Sequence, residues 1–363
     1  MGGDVEEDTE AKTDEEDTEE QMDEEDGTGE RTDEGDAEES TDEEEDGSAT
    51  GPLESDGQER PHLLLSDLNA GCTWDAENWS CAYDAVYMVF YVMYGMSNPT
   101  WHAIWTNKSP EWNVPLARQF DLLLADTATG QYPSAMRCQW FSGCRNAFRG
   151  QAAESNPTAF TYGHSLISVS ALLERIFKGP SMEPLSYQSL SCQNCEASKK
   201  DTHYSFPYLG FKRNINRLRK NGDSAVLPVQ VVVDRFIERY STTPFEPHET
   251  CATCHSPRRV TSLHLPEQSW IWFEQTPDTQ TLYPSLELSC SQPAAGPTHT
   301  LAAIIYNGML HFTARIRKGG DTWWNYDGQK SGGVPTVATF EDPGYLSVYC
   351  QRYPAFLIYR RLV

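Results

Sequence analysis

The sequence predicts an α+β domain behind a long acidic tail, and three observations carry that expectation. Residues 1–60 hold 29 acidic and three basic residues (Lys12, Arg31, Arg60) and no aromatic one. Residues 61–363 balance 25 acidic against 25 basic residues and carry every Trp, Tyr and Phe. Within them, helix-like apolar spacing fills the first half and short β-branched or aromatic runs fill the second.

The formal charge of −26 therefore belongs to the tail alone. A segment with almost no large apolar side chains cannot offset its ordering entropy, so residues 1–60 are expected to be disordered. Residues 61–363 are long enough for one large core. No run of about 18 uncharged apolar residues occurs, the nearest being the tyrosine-bearing Ala85–Met96, so no membrane span is expected. The polar, acidic start does not read as a signal peptide. Ten cysteines without a secretory signal point to a reducing intracellular compartment, cytoplasmic or nuclear, where thiols serve metals or catalysis.

Along the folded part, residues 66–80 read as an irregular loop and 81–95 as a buried helix. Residues 97–130 read as helical with loops, packed through Trp101, Trp105 and Trp112. Leu166, Val169, Leu172, Leu173 and Ile176 stand at helical spacing before the stop signal Lys178-Gly179-Pro180, giving a helix over Ser165–Phe177. From residue 186 the pattern is strand-like. The β-branched run Leu227–Val233, then Trp270–Phe273, Thr300–Tyr306, Leu310–Ile316, Thr322–Tyr326 and Phe356–Tyr359 are expected strands between Gly, Pro and Asn turns.

Two sets of residues carry chemistry. Cys81 follows Ser80, a candidate N-cap, and opens the apolar helix. A thiol there meets free backbone N–H groups and the positive end of the helix dipole, both of which favour the thiolate. His311 and Asp327 follow more than two hundred residues later, the Cys…His…Asp chain order of one large group of thiol hydrolases. The bland readings are a core cysteine, a satisfied strand histidine and an Asp-Gly turn, with Cys72 and His299 as rivals. The second set is Cys192-Gln193-Asn194-Cys195 and Cys251-Ala252-Thr253-Cys254, with 55 residues between the knuckles. Each CxxC turn presents two sulfurs to one ion, and two complete the tetrahedral thiolate site that zinc prefers. Such knuckles would sit at the tips of two hairpins, with His203 and His255 as spare ligands. Four unmetallated loop cysteines are the alternative.

Taken in order, these boxes resemble the ubiquitin-specific proteases. Asn78-Trp79-Ser80-Cys81-Ala82-Tyr83-Asp84 is similar to that family's cysteine box, Gly-Asn-Thr-Cys-Tyr-Met-Asn. The two knuckles resemble its zinc site. Leu310-His311-Phe312-Thr313-Ala314 resembles Gly-His-Tyr-x-Ala, and Trp323-Trp324-Asn325-Tyr326-Asp327 resembles Trp-x-x-Phe-Asp. Ala355-Phe356-Leu357-Ile358-Tyr359 is similar to the closing strand. The resemblance implies a papain-like thumb–palm–fingers peptidase over residues 61–363, with zinc-capped β fingers at about 186–275. It further implies a deubiquitinase acting at the carboxyl terminus of ubiquitin or a ubiquitin-like protein. Cys81 would be the nucleophile, His311 the base and Asp327 its orienter. Structural zinc would be held by Cys192, Cys195, Cys251 and Cys254.

The chain departs from the family at three places. Ala76 stands where an oxyanion-holding Asn or Gln is usual, leaving Asn78 as the leading side chain for that role and Asp75 as the other. Leu310 replaces the Gly before the histidine, and Gly328 replaces a second Asp after Asp327. A catalytically inactive ubiquitin-binding or scaffold protein of the same fold is the alternative these changes motivate. For the tail, a solvated solubilising segment and a contact arm for a basic protein partner are the two readings. Direct nucleic-acid binding is disfavoured by its charge.

Overall fold

A computed structural model describes residues 68–363 apart from 164–166, 179–185, 196, 204–217, 245–249, 265–269, 276–281, 291–297, 341 and 362–363. The acidic segment 1–60, expected to be disordered, lies outside the described residues.

Five helices open the folded part: α1 (Cys81–Gly95), α2 (Pro99–Lys108), α3 (Pro110–Thr129), α4 (Ser134–Ser155) and α5 (Val169–Lys178). All residues of α1 are buried, as expected of a helix that is apolar on every side. It runs through the middle of the core, with α3, α4 and α5 around it. Asn98 caps α2 by accepting from the Trp101 N–H at 2.8 Å, and Gly130 ends α3 in the left-handed conformation at φ 64°.

Twelve strands follow among the described residues, with one α-helix and two short 3-10 helices among them. The large sheet is ordered β11 (Thr336–Thr339), β10 (Thr322–Tyr326), β9 (His311–Gly319), β8 (His299–Gly308), β12 (Tyr353–Arg361), β5 (Trp270–Glu274), with β7 (Glu287–Leu288) also paired to β8. Its pairings are all antiparallel. Alternation sorts its side chains into two layers. Ala303, Ile305, Phe312, Ala314, Trp324 and Ile358 join the core around α1. Ile304, Tyr306, Trp323, Leu357 and Tyr359 join a second core on the other face. A three-stranded antiparallel sheet, β2 (Ser198–His203), β1 (Ser186–Cys192) and β4 (Arg258–His264), stands apart from the large one. β3 (Leu227–Pro228) and β6 (Leu282–Tyr283) form a short parallel pair.

Three sequence expectations change. Leu227–Val233 is not a strand: after Pro228 the chain forms α6 (Val229–Tyr240). Val229, Val232, Val233 and Phe236 fall at helical spacing and bury together, so packing outweighs the β preference of valine. Trp270–Glu274, assigned to the finger segment, pairs with β12 in the large sheet. Helix α4 has no counterpart in the sequence reading, because its buried face carries Arg137, Arg145 and Arg149 among Cys138, Phe141 and Phe148. Among the described residues, no helix is long and apolar enough to cross a membrane.

Candidate active site and cysteine cluster

Cys81 opens α1 with only 4% of its surface exposed. The backbone N–H of Phe312, and after it those of Ala82 and Cys81 itself, favour its thiolate. Burial nevertheless pushes the thiol up to about 11, against those donors. The helix start therefore supplies what the sequence promised, and desolvation overrides it.

Ser80 does not cap the helix as expected. Its hydroxyl makes no cap bond; it donates to Asp84 Oδ2 at 2.8 Å and accepts from the Asp75 N–H at 2.8 Å. Asp84, one turn into α1, also lies 3.0 Å from the Arg145 guanidinium of α4, both groups being buried. Burial pushes its carboxyl up to about 7 although Arg145 pulls it down. Arg145 in turn donates to the Thr73 carbonyl at 3.0 Å. The Tyr326 hydroxyl donates to the Cys72 carbonyl at 2.7 Å, and the Trp74 N–H to the Gly328 carbonyl at 3.1 Å. A buried polar network thus clamps the loop before Cys81 to α4 and to the turn after β10. Gly328 fits that clamp: a Cβ there would lie 3.1 Å from the Tyr326 hydroxyl and 3.2 Å from Asp84 Oδ2.

His311 begins β9, directly after the turn Met309-Leu310 that closes the β8–β9 hairpin. Both turn residues are left-handed, at φ 54° and 57°, the backbone a two-residue hairpin requires. Leu310 therefore keeps the conformation a glycine would take, and its side chain is 65% exposed. The partner strand β10 brings Asp327 alongside, and His311 Nε2 lies 2.8 Å from Asp327 Oδ1. That oxygen also accepts the Gln329 N–H at 3.1 Å. Burial pushes the Asp327 carboxyl up, but the hydrogen bond and charge of His311 outweigh it and hold the group below its ordinary value. The other ring nitrogen, Nδ1, is buried without a partner. The N–H of the neighbouring residue, Phe312, favours the Cys81 thiolate.

Asn78, expected to face an oxyanion, is engaged at both ends of its amide. Nδ2 donates to Asp75 Oδ2 at 2.9 Å, and Oδ1 accepts the Gly163 N–H at 3.3 Å. Asp75 accepts from Asn78 and from the Glu77 N–H at 3.1 Å. Despite some burial, the Asn78 bonds hold its carboxyl below the ordinary value. An ionised carboxylate has no proton to donate, which removes Asp75 as an oxyanion donor. The rivals are placed elsewhere. Cys72 is fully buried, donates toward the Phe141 carbonyl at 3.6 Å and is pushed well up by burial. His299 stands at the far end of β8 from Gly308, with Nδ1 2.8 Å from the Thr298 hydroxyl.

The knuckles meet in the smaller sheet. Cys192 ends β1 and Cys195 lies in the turn to β2, while Cys251 and Cys254 lie in the turn closed by the Thr250–Pro257 bridge just before β4. Their sulfurs are 3.3 Å apart for Cys192–Cys254, 3.5 Å for Cys195–Cys254 and 3.6 Å for Cys195–Cys251, all four lying within 4.8 Å of one another. Tetrahedral thiolates at a zinc–sulfur distance of ~2.3 Å sit about 3.8 Å apart, so the cluster needs little adjustment to hold one ion. Backbone N–H groups point inward, from Asn194 to Cys192 at 3.3 Å and from Thr253 to Cys251 at 3.4 Å. Donors from Cys254 and Thr253 hold the Cys251 thiol down at about 6, a ready thiolate. His255 is not in the cluster, and the side chain of His203 lies outside the described residues.

No protein-family model and no curated protein matches the chain. Among solved structures, it is similar to a yeast SAGA DUBm containing an Sgf73 mutant, at 12% identity and a TM-score of 0.34, over 84% of this chain and 68% of that one. It is also similar to the Pan2 catalytic unit (protease and nuclease domain) of Neurospora crassa, at 9% identity and a TM-score of 0.39, over 83% of this chain and 57% of that one. Likenesses this remote carry no chemistry with them.

Proposed function

We propose that the chain is a thiol-dependent deubiquitinase that hydrolyses the peptide or isopeptide bond at the carboxyl terminus of ubiquitin or a ubiquitin-like protein. The observation that carries the reading is the His311–Asp327 pair, whose buried Nδ1 has no hydrogen-bond partner and whose neighbour Phe312 carries an N–H that favours the Cys81 thiolate. Asp327 fixes the tautomer with the proton on Nε2, leaving Nδ1 to accept the Cys81 proton. The thiolate attacks the substrate carbonyl, and the imidazolium returns the proton to the leaving amine, giving a thioester. Water activated by the same imidazole then releases the product. The backbone N–H of Cys81 is the donor for the oxyanion in this reading, since Asn78 is taken up within its loop.

Zinc is the ion we assign to Cys192, Cys195, Cys251 and Cys254, in a structural role that ties the two turns of the small sheet together. That sheet takes the part of the fingers, and the helical half with the large sheet the parts of thumb and palm. A reducing intracellular location, cytoplasmic or nuclear, is part of this reading. For the acidic segment the two readings stand, a solvated solubilising tail and a contact arm for a basic protein.

The decisive assay offers full-length protein a ubiquitin carrying a fluorogenic carboxyl-terminal amide. Release of the fluorophore, abolished by Cys81→Ala, is expected. A second reading, a ubiquitin-binding protein without activity, is favoured by the raised Cys81 thiol and the engaged Asn78. Saturable ubiquitin binding with no turnover would select it.

A further inference from the structure

The far end of α1 borders a cavity of about 250 Å³ that no step above uses. Its apolar wall is built from Met93 and Met96 of the α1 end and Ile316 of β9, and its cationic side from Arg317, Lys318 and Arg360. Twelve helical residues separate Met93 from Cys81, about 18 Å at the α-helical rise. Six strand residues separate Arg317 from His311, about 20 Å at the strand rise. The cavity is therefore remote from the nucleophile along both elements that position it.

Two guanidinium groups share this space. Arg317 is fixed by donation from Nε to the Gly320 carbonyl at 2.9 Å and from Nη1 to the Leu286 carbonyl at 3.4 Å. Arg360 reaches the Ser97 hydroxyl through Nη1 at 3.5 Å. Arg317 Nη1 also donates to the Thr300 hydroxyl, and Lys318 Nζ lies 5.5 Å from the Trp324 ring centroid; among the described residues none of the three cations makes an ion pair, and Arg317 Nη2 and Arg360 Nε and Nη2 make no hydrogen bond. Burial first, and the charge of Arg317 second, make Arg360 a weaker base than usual, so the two repel across the cavity. Like charges held together beside apolar surface are relieved by an anion that accepts from both forks.

We propose that this cavity binds a small oxyanion bearing an apolar group, its charge on Arg317 and Arg360 and its apolar part on the two methionines. Thioether side chains adapt to such a group readily. The site is independent of the reading of Cys81.

The test titrates the full chain with phenyl phosphate at constant ionic strength, by calorimetry and by methyl spectra of 13C-methionine protein. One-site binding is expected, with the Met93 and Met96 methyls shifting and that of Met309, 75% exposed at the hairpin turn, unmoved. Arg360→Met should weaken binding at least tenfold, Arg360→Lys less, and inorganic phosphate should bind more weakly than phenyl phosphate. Benzoate run beside it identifies whether a phosphate or a carboxylate head is preferred, and saturable binding of either supports the site. The methyl spectra need only the wild-type chain, so they stand even if an Arg360 variant fails to fold. Absence of saturable binding, unchanged affinity in a folded Arg360→Met, or shifts confined to other methionines would overturn the proposal.

Discussion

Cys251 and Cys81 place the same thiol in opposite surroundings. Cys251 sits in a tight turn of the small sheet, where inward backbone N–H groups hold it at about 6; Cys81 sits at a helix start in the main core, where burial drives it to about 11. Backbone donors favour both thiolates, so donors alone do not decide thiolate character. What separates the two is depth: both are shielded from solvent, but Cys81 lies within the main core, where desolvation outweighs its N–H donors, and Cys251 lies in the small sheet, where it does not. Within the cluster Cys251 ionises first, while, against the lowering effect of Ala197, the hydrogen bonds of Cys254, Cys251 and Cys192 push Cys195 up to about 12. On the proposed reading, Cys81 ionises only when His311 takes its proton.

The sharpest way to break this contrast is to remove the base. His311→Ala should lower turnover by at least a thousandfold while leaving bound metal unchanged, measured by steady-state hydrolysis and metal analysis. A variant that keeps activity would mean Cys81 needs no base.

Next in size is the network that holds Cys81 in place. Arg145→Met leaves Asp84 buried without its countercharge, and unfolding by denaturant should show a loss of about 3–5 kcal/mol. A change under about 1 kcal/mol would show that the pair does not clamp the loop.

A third prediction follows the thiol itself. Because burial raises Cys81 from 9.0 to about 11, its alkylation by iodoacetamide in metal-loaded protein should climb steadily with pH and level off only near 11. Stability should run the other way: full below pH 9, where both folded and unfolded thiols are protonated, and lost as pH rises toward 11. A plateau of alkylation near neutral pH would reveal a preformed thiolate–imidazolium pair.

The smallest effect concerns Asn78. As a brace between Asp75 and Gly163, its replacement by Ala should cost less than tenfold in kcat; an oxyanion donor would cost about 10²–10³.

Much of this was legible in the sequence because the signals were local. Alternating residues and turn chemistry located β8, β9, β10 and β12 to within a few residues, and the CxxC spacing located the cluster. The uniformly apolar run located α1. Other features depend on contacts that no local pattern encodes. Arginines that find Asp84, Asp126 and the Tyr83 ring in the core hid α4 as a polar stretch. Valines spaced for a helix read as a strand because their branching spoke first. Ser80 had the right identity for a cap, but Asp84 and Asp75 compete for its hydroxyl. Nothing near Cys81 in sequence announces how deeply its sulfur is buried.

The most direct measurement uses ubiquitin bearing an electrophile at its carboxyl terminus, reacted with full-length, metal-loaded protein and mapped by peptide mass spectrometry. The account predicts one adduct, on Cys81, lost in Cys81→Ala and slowed in His311→Ala, with the four cluster cysteines unmodified. No adduct, or an adduct on any other cysteine, would contradict it.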